Sequence, residues 1–461
     1  MKVLHVITGL GIGGAEQQLR LMLRHLPLRS AVVTLTNPGA VADGIEADGT
    51  PVTHLGMTGN RDAGALPRLT RLIRQGGYDL VHTHLYRACV YGRPAARLAG
   101  VRSVIATEHS LGEAQIEGRP LSAGTRALYL ATERLGTSTV AVSPSVARRL
   151  TRWGVAPSRI SVVPNGIETN RFAFDPRARA SARAALGLPP NAFVVGGVGR
   201  LAPGKRFDRL VRAVAAVPEA RLLLVGEGDQ REQLLRVAEE CGAKDRVLLA
   251  GACEDPPAGP SGPTARETGA HAAGPAGPEG SAGPADLAGP VGPEGLGGLP
   301  ASAGPVGPEG LAGIPASARP EGPVDLAASA ALSDSAASSG RAGATGGRPG
   351  LPAMLAAMDV FVSTSPDETF GLAVVEALAA GLPALYVACP AIDDLPAEAA
   401  PGARRIGESV PELISALLAL RDSGHGRLAP PEAVRRYDIA QSARKLMSLY
   451  HQAVHGPTPV K

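Results

Sequence analysis

Aromatic side chains are scarce in this 461-residue chain: Phe, Trp and Tyr together make up 3%, with a single Trp. Few aromatics leave little for nucleic-acid bases to stack on, so no nucleic-acid partner is expected. Cysteine is limited to Cys89, Cys241, Cys253 and Cys389, with no C-x-x-C pair, which excludes a disulfide scaffold and a zinc knuckle and predicts inert core thiols. The longest apolar runs, such as Leu222 to Val225, fall far short of the ~18 residues of a membrane span. Met1 leads directly into KVLHVIT with no charged stub, apolar stretch or cleavage site, so no secretory signal is read and a cytoplasmic location is expected. Lysine is rare too: 41 of the 46 basic residues are Arg.

Glycine and proline are plentiful but unevenly spread. Residues 251–350 hold 23 Gly and 16 Pro and no aromatic. Within them GPAGPEGSAGPADLA (274–288), GPVGPEGLGGLPASA (289–303) and GPVGPEGLAGIPASA (304–318) repeat at a period of 15 residues. The fifth triplet of each copy lacks its leading Gly, and a triple helix admits only Gly at its axis, so a collagen rod is disfavoured. The expectation is a disordered, collagen-like, low-complexity insertion over 254–350; an adhesive collagen-like segment is the second reading.

The net charge of +4 conceals an asymmetry, with 17 Lys+Arg against 10 Asp+Glu in residues 1–150 and 16 against 10 in 151–250. A solvated basic face is the plain reading. A surface for anionic lipid or phosphate-bearing substrates is the alternative, and with it peripheral contact at the inner membrane surface.

Short apolar strands alternate with amphipathic helices. KVLHVIT (2–8), AVVTLT (31–36), VTHL (52–55), DLVHTH (79–84), SVIATE (103–108), STVAVS (138–143) and RISVVPN (159–165) form one series. A polar, Arg-rich stretch near 170–190 separates it from FVVGGVGRL (193–201), ARLLLVG (220–226), RVLLAG (246–251), MDVFVSTS (358–365) and LPALYVA (382–388). Such runs predict parallel sheets covered on both faces. The expected fold class is therefore α/β, with two tandem Rossmann-like domains over 1–172 and 190–430.

Gly9, Gly11 and Gly14 in GLGIGG follow a strand and precede a helix. A dinucleotide turn would want an acid about 20 residues on, yet no Asp or Glu occurs between Glu16 and Asp43. The glycines then suit a phosphate or sugar approaching a helix amino terminus, or simply close strand–helix packing. His82 and His84, two apart on a strand, share a face; no third ligand has comparable spacing, so no metal is expected, and one ring is read as packed and the other as lining a cleft. His109 at a strand's end is either a cleft residue or a satisfied core histidine. Arg200 and Lys205 at another strand's carboxyl end suit a diphosphate, acting as two buried cations on a leaving group, or are two solvated charges. Glu368 and Glu376, eight apart around a helix start, are ligand-binding acids or an ordinary dipole-favouring Glu and a surface Glu.

These segments resemble the retaining GT-B glycosyltransferases of family 4. VGRLAPGKRFDRLVRAV looks like their GRL…K…L..A signature, Glu368 and Glu376 match E-x7-E in its F-G-L…E-A-L-A-x-G-x-P frame, and VVPNGIETNRF is similar to their N-G-I/V-D…F stretch. The resemblance implies two Rossmann-like domains facing across a cleft, the first binding the acceptor and the second a nucleotide-sugar donor, linked to UDP or GDP. By position, Arg200 and Lys205 would hold the diphosphate, Glu376 the ribose hydroxyls, and Glu368 hydroxyls of the donor sugar, within the frame that includes Gly371 and Leu372. Gly14 would approach the donor phosphate and His109 would sit beside the sugar. The resemblance also implies no metal and no cofactor, transfer to an acceptor hydroxyl whose identity is unknown, and a helix over 438–455 that crosses back to the first domain. Two departures stand out: about 100 residues intervene between RVLLAG (246–251) and the helix before MDVFVSTS (358–365), where relatives have a short loop, and YVACPAIDDLPAEAAPGARRI replaces their usual Gly-rich turn, Glu and G-x-L. Competing readings are a catalytically silent GT-B scaffold and an NAD-dependent oxidoreductase.

Overall fold

The structure, a computed structural model, describes residues 1–59, 62–113, 115–117, 119–253, 349–424 and 426–456. The expected insertion over 254–350 lies, apart from Pro349 and Gly350, outside the described residues.

The first sheet has seven parallel strands in the order β3-β2-β1-β4-β5-β8-β9: β1 (Lys2–Ile7), β2 (Arg29–Thr34), β3 (Val52–His54), β4 (Leu80–His84), β5 (Ser103–Glu108), β8 (Ser138–Ala141) and β9 (Ile160–Val162), while β6 (Gln115–Ile116) and β7 (Arg119–Pro120) form a small hairpin beside it. Helices α1 (Gly14–His25), α2 (Gly39–Ala47), α3 (Ala65–Gly76), α4 (Tyr86–Leu98), α5 (Ala123–Glu133) and α6 (Pro144–Trp153) connect these strands. Start and stop signals are local. Ser143 caps α6 by accepting the Val146 N–H, Pro144 occupies its first turn, and Gly154 ends it in a left-handed conformation, the usual chemistry of helix ends.

After α7 (Pro176–Ala185) comes a second sheet of six parallel strands, ordered β12-β11-β10-β13-β14-β15. Its members are β10 (Val194–Val198), β11 (Arg221–Val225), β12 (Val247–Gly251), β13 (Val360–Ser363), β14 (Ala384–Tyr386) and β15 (Ala403–Arg405), carried with α8 (Phe207–Ala216), α9 (Arg231–Glu240), α10 (Leu351–Ala357), α11 (Leu372–Ala379), α12 (Pro390–Asp393), α13 (Val410–Asp422) and α14 (Glu432–Arg436). The run RLLLV on β11 is buried after its first residue, because a parallel strand is covered on both faces. Both strand orders are those of doubly wound Rossmann-like domains.

The Arg-rich stretch read as a separator is structured. Helix α7 packs on α10, and its Arg179 and Arg183 pair with Asp359 at 2.6 and 2.8 Å while donating to the carbonyls of Ala356, Ala357 and Met358. These are cations placed on the carboxyl end of α10, where the helix dipole favours them.

From α14 the chain returns to the first domain in α15 (Ile439–His455). Ile439, Ala443, Leu446 and Tyr450 bury themselves against Val3, Leu80, Ile105 and Val140. The carboxyl ends of the two parallel sheets meet where loops of both domains touch: Thr369 donates to the His109 carbonyl at 2.6 Å, Ser143 to the Thr369 carbonyl at 2.8 Å, and the Glu113 N–H to the Asp367 carboxylate at 3.1 Å.

Candidate active site

Ligands of doubly wound sheets bind outside the carboxyl ends of the strands, and the named residues gather there. The glycine loop after β1 leads into α1, whose cap residue Gly13 is extended and supplies no side-chain cap. No N-cap side chain covers the opening of α1, although the Glu16 carboxylate bonds its own backbone N–H in the first turn; α11 is likewise preceded by a glycine, Gly371, left-handed at φ 94°. A side chain at Gly371 would also meet the Cys389 sulfur at 2.5 Å. The two helix starts face one another: a Cβ added to Gly14 would lie 3.7 Å from Leu372 Cδ1.

Arg200 follows β10 and reaches across to the glycine loop, so that a Cβ on Gly13 would come within 3.0 Å of its Nη2 and would collide with the Glu16 carboxylate. Lys205 lies in the 3-10 turn Pro203–Lys205, with its carbonyl accepting from Thr364 Oγ1 at 2.7 Å and its ammonium 2.5 Å from Glu368 Oε1. The expectation of two buried cations is corrected here. Arg200 is exposed and the Lys205 side chain keeps 33% of its area, because the turn after β10 is open to solvent. Glu376, one turn into α11, is half-buried.

Three acids and an arginine absent from the sequence reading join this group. The Glu16 carboxyl is pushed up by burial, with Arg200 opposing. Glu117, left-handed at φ 49° between β6 and β7, accepts from Thr8 Oγ1 at 3.2 Å and is raised by burial as well. Asp367 is held by Arg149 at 3.3 Å, and Arg149 also binds Glu113 at 2.9 Å and the Leu111 carbonyl. Together Asp367, Thr369 and Arg149 fix the segment bearing Glu368 against the first domain.

His82 and His84 are both buried, so neither ring lines an open cleft, and β1 pairs with β4 so that His5 faces His82. The fold thus supplies a third imidazole that sequence spacing could not show, and one ring nitrogen of each lies within 4.8 Å of the others. Both nitrogens of His82 and of His84 are already engaged: His82 contacts Tyr450 OH at 2.6 Å and Thr107 Oγ1 at 2.7 Å, and His84 contacts His5 Nδ1 at 3.1 Å and His109 Nε2 at 3.2 Å. Burial holds His5 down to about 3 and His109 down to about 4, with His82 and His84 also well below their ordinary values, so all four rings are neutral at pH 7. Just before His109, Glu108 is fully buried beside Cys89 Sγ at 3.4 Å and is raised by burial to about 7 against the pull of Arg93. Arg93 in turn donates to Tyr129 OH at 3.1 Å. A separate cavity of about 590 Å³ at Met1, Leu28 and Asp79 lies at the amino edge of the sheet, away from this chemistry.

Residues 12–171 match the family model described as Glycosyltransferase Family 4, and residues 178–258 and 321–423 match models described as Glycosyl transferases group 1. The chain is 29% identical over 205 residues to an Escherichia coli UDP-Gal:alpha-D-GlcNAc-diphosphoundecaprenol alpha-1,3-galactosyltransferase, covering 43% of this chain and 53% of that protein. It is 34% identical over 209 residues to a D-inositol 3-phosphate glycosyltransferase of Acidothermus cellulolyticus, covering 40% and 45%. It thus spans about half the length of the curated relatives it matches. Among solved structures, Anabaena HepE in complex with UDP-glucose superposes with a TM-score of 0.67 at 20% identity, over 97% of this chain and 98% of that one. Sucrose-phosphate synthase from Thermosynechococcus elongatus superposes with 0.64 at 18%, over 98% and 99%.

Proposed function

Because this chain belongs to glycosyltransferase family 4 and has the GT-B fold, we propose that it moves a sugar from a nucleotide-diphosphate donor to an acceptor hydroxyl with retention and without a metal. The observation that carries this reading is the convergence of Arg200, the Lys205–Glu368 pair and two helix starts preceded by glycine where the carboxyl ends of the two sheets meet. Cations and outward N–H groups together are what a diphosphate needs both for binding and for leaving.

In this reading the domain over 190–430 holds the donor. Arg200 and Lys205 neutralise the diphosphate, Gly14, Gly371 and Leu372 bring backbone close to it, and Glu376 accepts from the ribose hydroxyls. Glu368 holds hydroxyls of the sugar, with His109 beside it. The domain over 1–172 binds the acceptor, and the helix over 438–455 ties the two together. The acceptor oxygen forms a bond to the anomeric carbon on the face from which the phosphate oxygen departs, and that phosphate oxygen takes the acceptor's proton. The UDP-glucose bound by HepE and the UDP-Gal named for the E. coli relative favour a UDP-linked donor over a GDP-linked one.

The test is a thermal-shift panel with UDP, GDP, ADP, dTDP and NAD, each with and without EDTA, since a ligand of the folded state raises its stability. A shift with one nucleoside diphosphate that survives EDTA, followed by product formation, supports the transferase. Silence toward every nucleotide would leave a scaffold. Peripheral contact of the basic first domain with anionic membrane is proposed separately; liposome sedimentation that does not weaken with salt would count against it.

A further inference from the structure

His5, His84 and His109 form a single file of imidazoles, with His5 Nδ1 3.1 Å from His84 Nε2 and His84 Nδ1 3.2 Å from His109 Nε2. The two end atoms of this file, His5 Nε2 and His109 Nδ1, are buried and have no hydrogen-bond partner among the described residues. A neutral imidazole has one donor nitrogen and one acceptor nitrogen, so the file admits two proton registers. Either every ring carries its proton on Nδ1 and the chain donates from His5 toward His109, or every ring carries it on Nε2 and the chain donates the opposite way. Each register leaves one end as an unmet N–H and the other as an unmet lone pair. His5 sits mid-strand on β1, with Tyr450 of α15 nearby. His109 sits at the carboxyl edge, with Thr369 of the second domain on its carbonyl. Orphaned buried N–H groups are rarer in native proteins than under-satisfied acceptors, so the unmet N–H belongs at the edge where a ligand can answer it.

The geometry points to His5 and His84 as positioning residues that hold His109 in its Nδ1–H form, so that His109 meets the bound sugar as a hydrogen-bond donor to one of its oxygens. This rests on the placement of His109 beside the donor sugar in the proposed function. Neutrality of all three rings, enforced by burial, is what such a file requires, because a ring protonated on both nitrogens donates in both directions and fixes no single register. A metal held by one ring nitrogen each of His5, His82 and His84 would displace at least one hydrogen bond of His82 and one of His84.

The experiment uses the full chain labelled with ¹⁵N-histidine and long-range ¹H–¹⁵N correlation spectra at pH 7, without ligand. The expected result is a protonated Nδ1 and an unprotonated Nε2 on His5, His84 and His109 alike. In His5→Phe, which cannot donate to His84, His84 and His109 are expected to lose that uniform form. His5→Gln, whose amide can donate in place of the ring, is expected to retain it. A protonated Nε2 on His84 or His109 in the native chain would overturn the inference, and that spectrum decides even if His5→Phe fails to fold. Stoichiometric Zn²⁺ binding that shifts His5, His82 and His84 together would overturn it too. A UDP and GDP titration of the same sample addresses the proposed function independently: no binding there would sink that reading, whereas the tautomers of the free protein report on the file alone.

Discussion

The Lys205 ammonium lies 2.5 Å from a Glu368 carboxylate oxygen, bridging the turn after β10 and the loop before α11. Residues assigned by position to the diphosphate and to the sugar are thus partners of each other. A partly exposed pair of this kind stabilises by about 1 kcal/mol or less, so it orients the lysine while leaving it easily redirected to a phosphate.

Replacing that lysine tests its task. Lys205→Met is expected to weaken UDP binding by about 10- to 100-fold, the size of one lost charge-assisted hydrogen bond, with little change in melting temperature. Titration calorimetry of the two proteins measures it; equal affinities would remove Lys205 from the diphosphate site.

Gly13 tests how closely the first domain approaches. Its backbone is extended, with φ −162°, so alanine brings no conformational strain, yet the new Cβ would press on Arg200 and Glu16. Gly13→Ala is expected to lower nucleotide affinity about tenfold through a displaced guanidinium. A thermal-shift titration in which Gly13→Ala tracks the native protein would contradict this.

Glu108 gives a pH signature. Its folded-state value is raised from 4.5 to about 7, so between these values the folded protein holds a proton that the unfolded chain has lost, and the contribution to stability falls as pH rises through that window. Glu108→Gln removes the effect. The stability of Glu108→Gln relative to the native protein is expected to increase by about 2 kcal/mol from pH 5 to pH 7.5, measured by denaturant unfolding at both values. Contributions of the buried histidines, which run the other way, cancel in the comparison. A difference independent of pH would show that Glu108 is not held neutral.

Cys253 Sγ lies 3.5 Å from the Pro349 carbonyl, so the chain on either side of residues 254–348 comes together. Deleting 256–348 and joining the ends with a short Gly-Ser linker is expected to leave a cooperative melt and unchanged nucleotide binding. Loss of the melt would assign the segment a part in the fold.

Much of this architecture is legible in the primary structure because each parallel strand announces itself locally. SVIATE (103–108) coincides with β5, and the helix start read between Glu368 and Glu376 with the start of α11. What escaped depends on distant partners. Asp359 reads as a polar lead-in to a strand, and only the fold brings Arg179 and Arg183 onto it. Glu117 reaches the site because its backbone is left-handed, a state no neighbouring residue type signals, and His5 is one polar residue in an apolar run until β1 and β4 pair.

The return of α15 to the first domain makes the second domain topologically an insertion in the first. The apolar face of Val3, Leu80, Ile105 and Val140 is closed by Ile439, Leu446 and Tyr450, which the ribosome adds only after both sheets have been synthesised. Of the two domains, the one synthesised earlier is therefore the later to be finished, and a chain halted before residue 439 would present that face, along with a His82 deprived of its tyrosine, to whatever chaperone or protease is near.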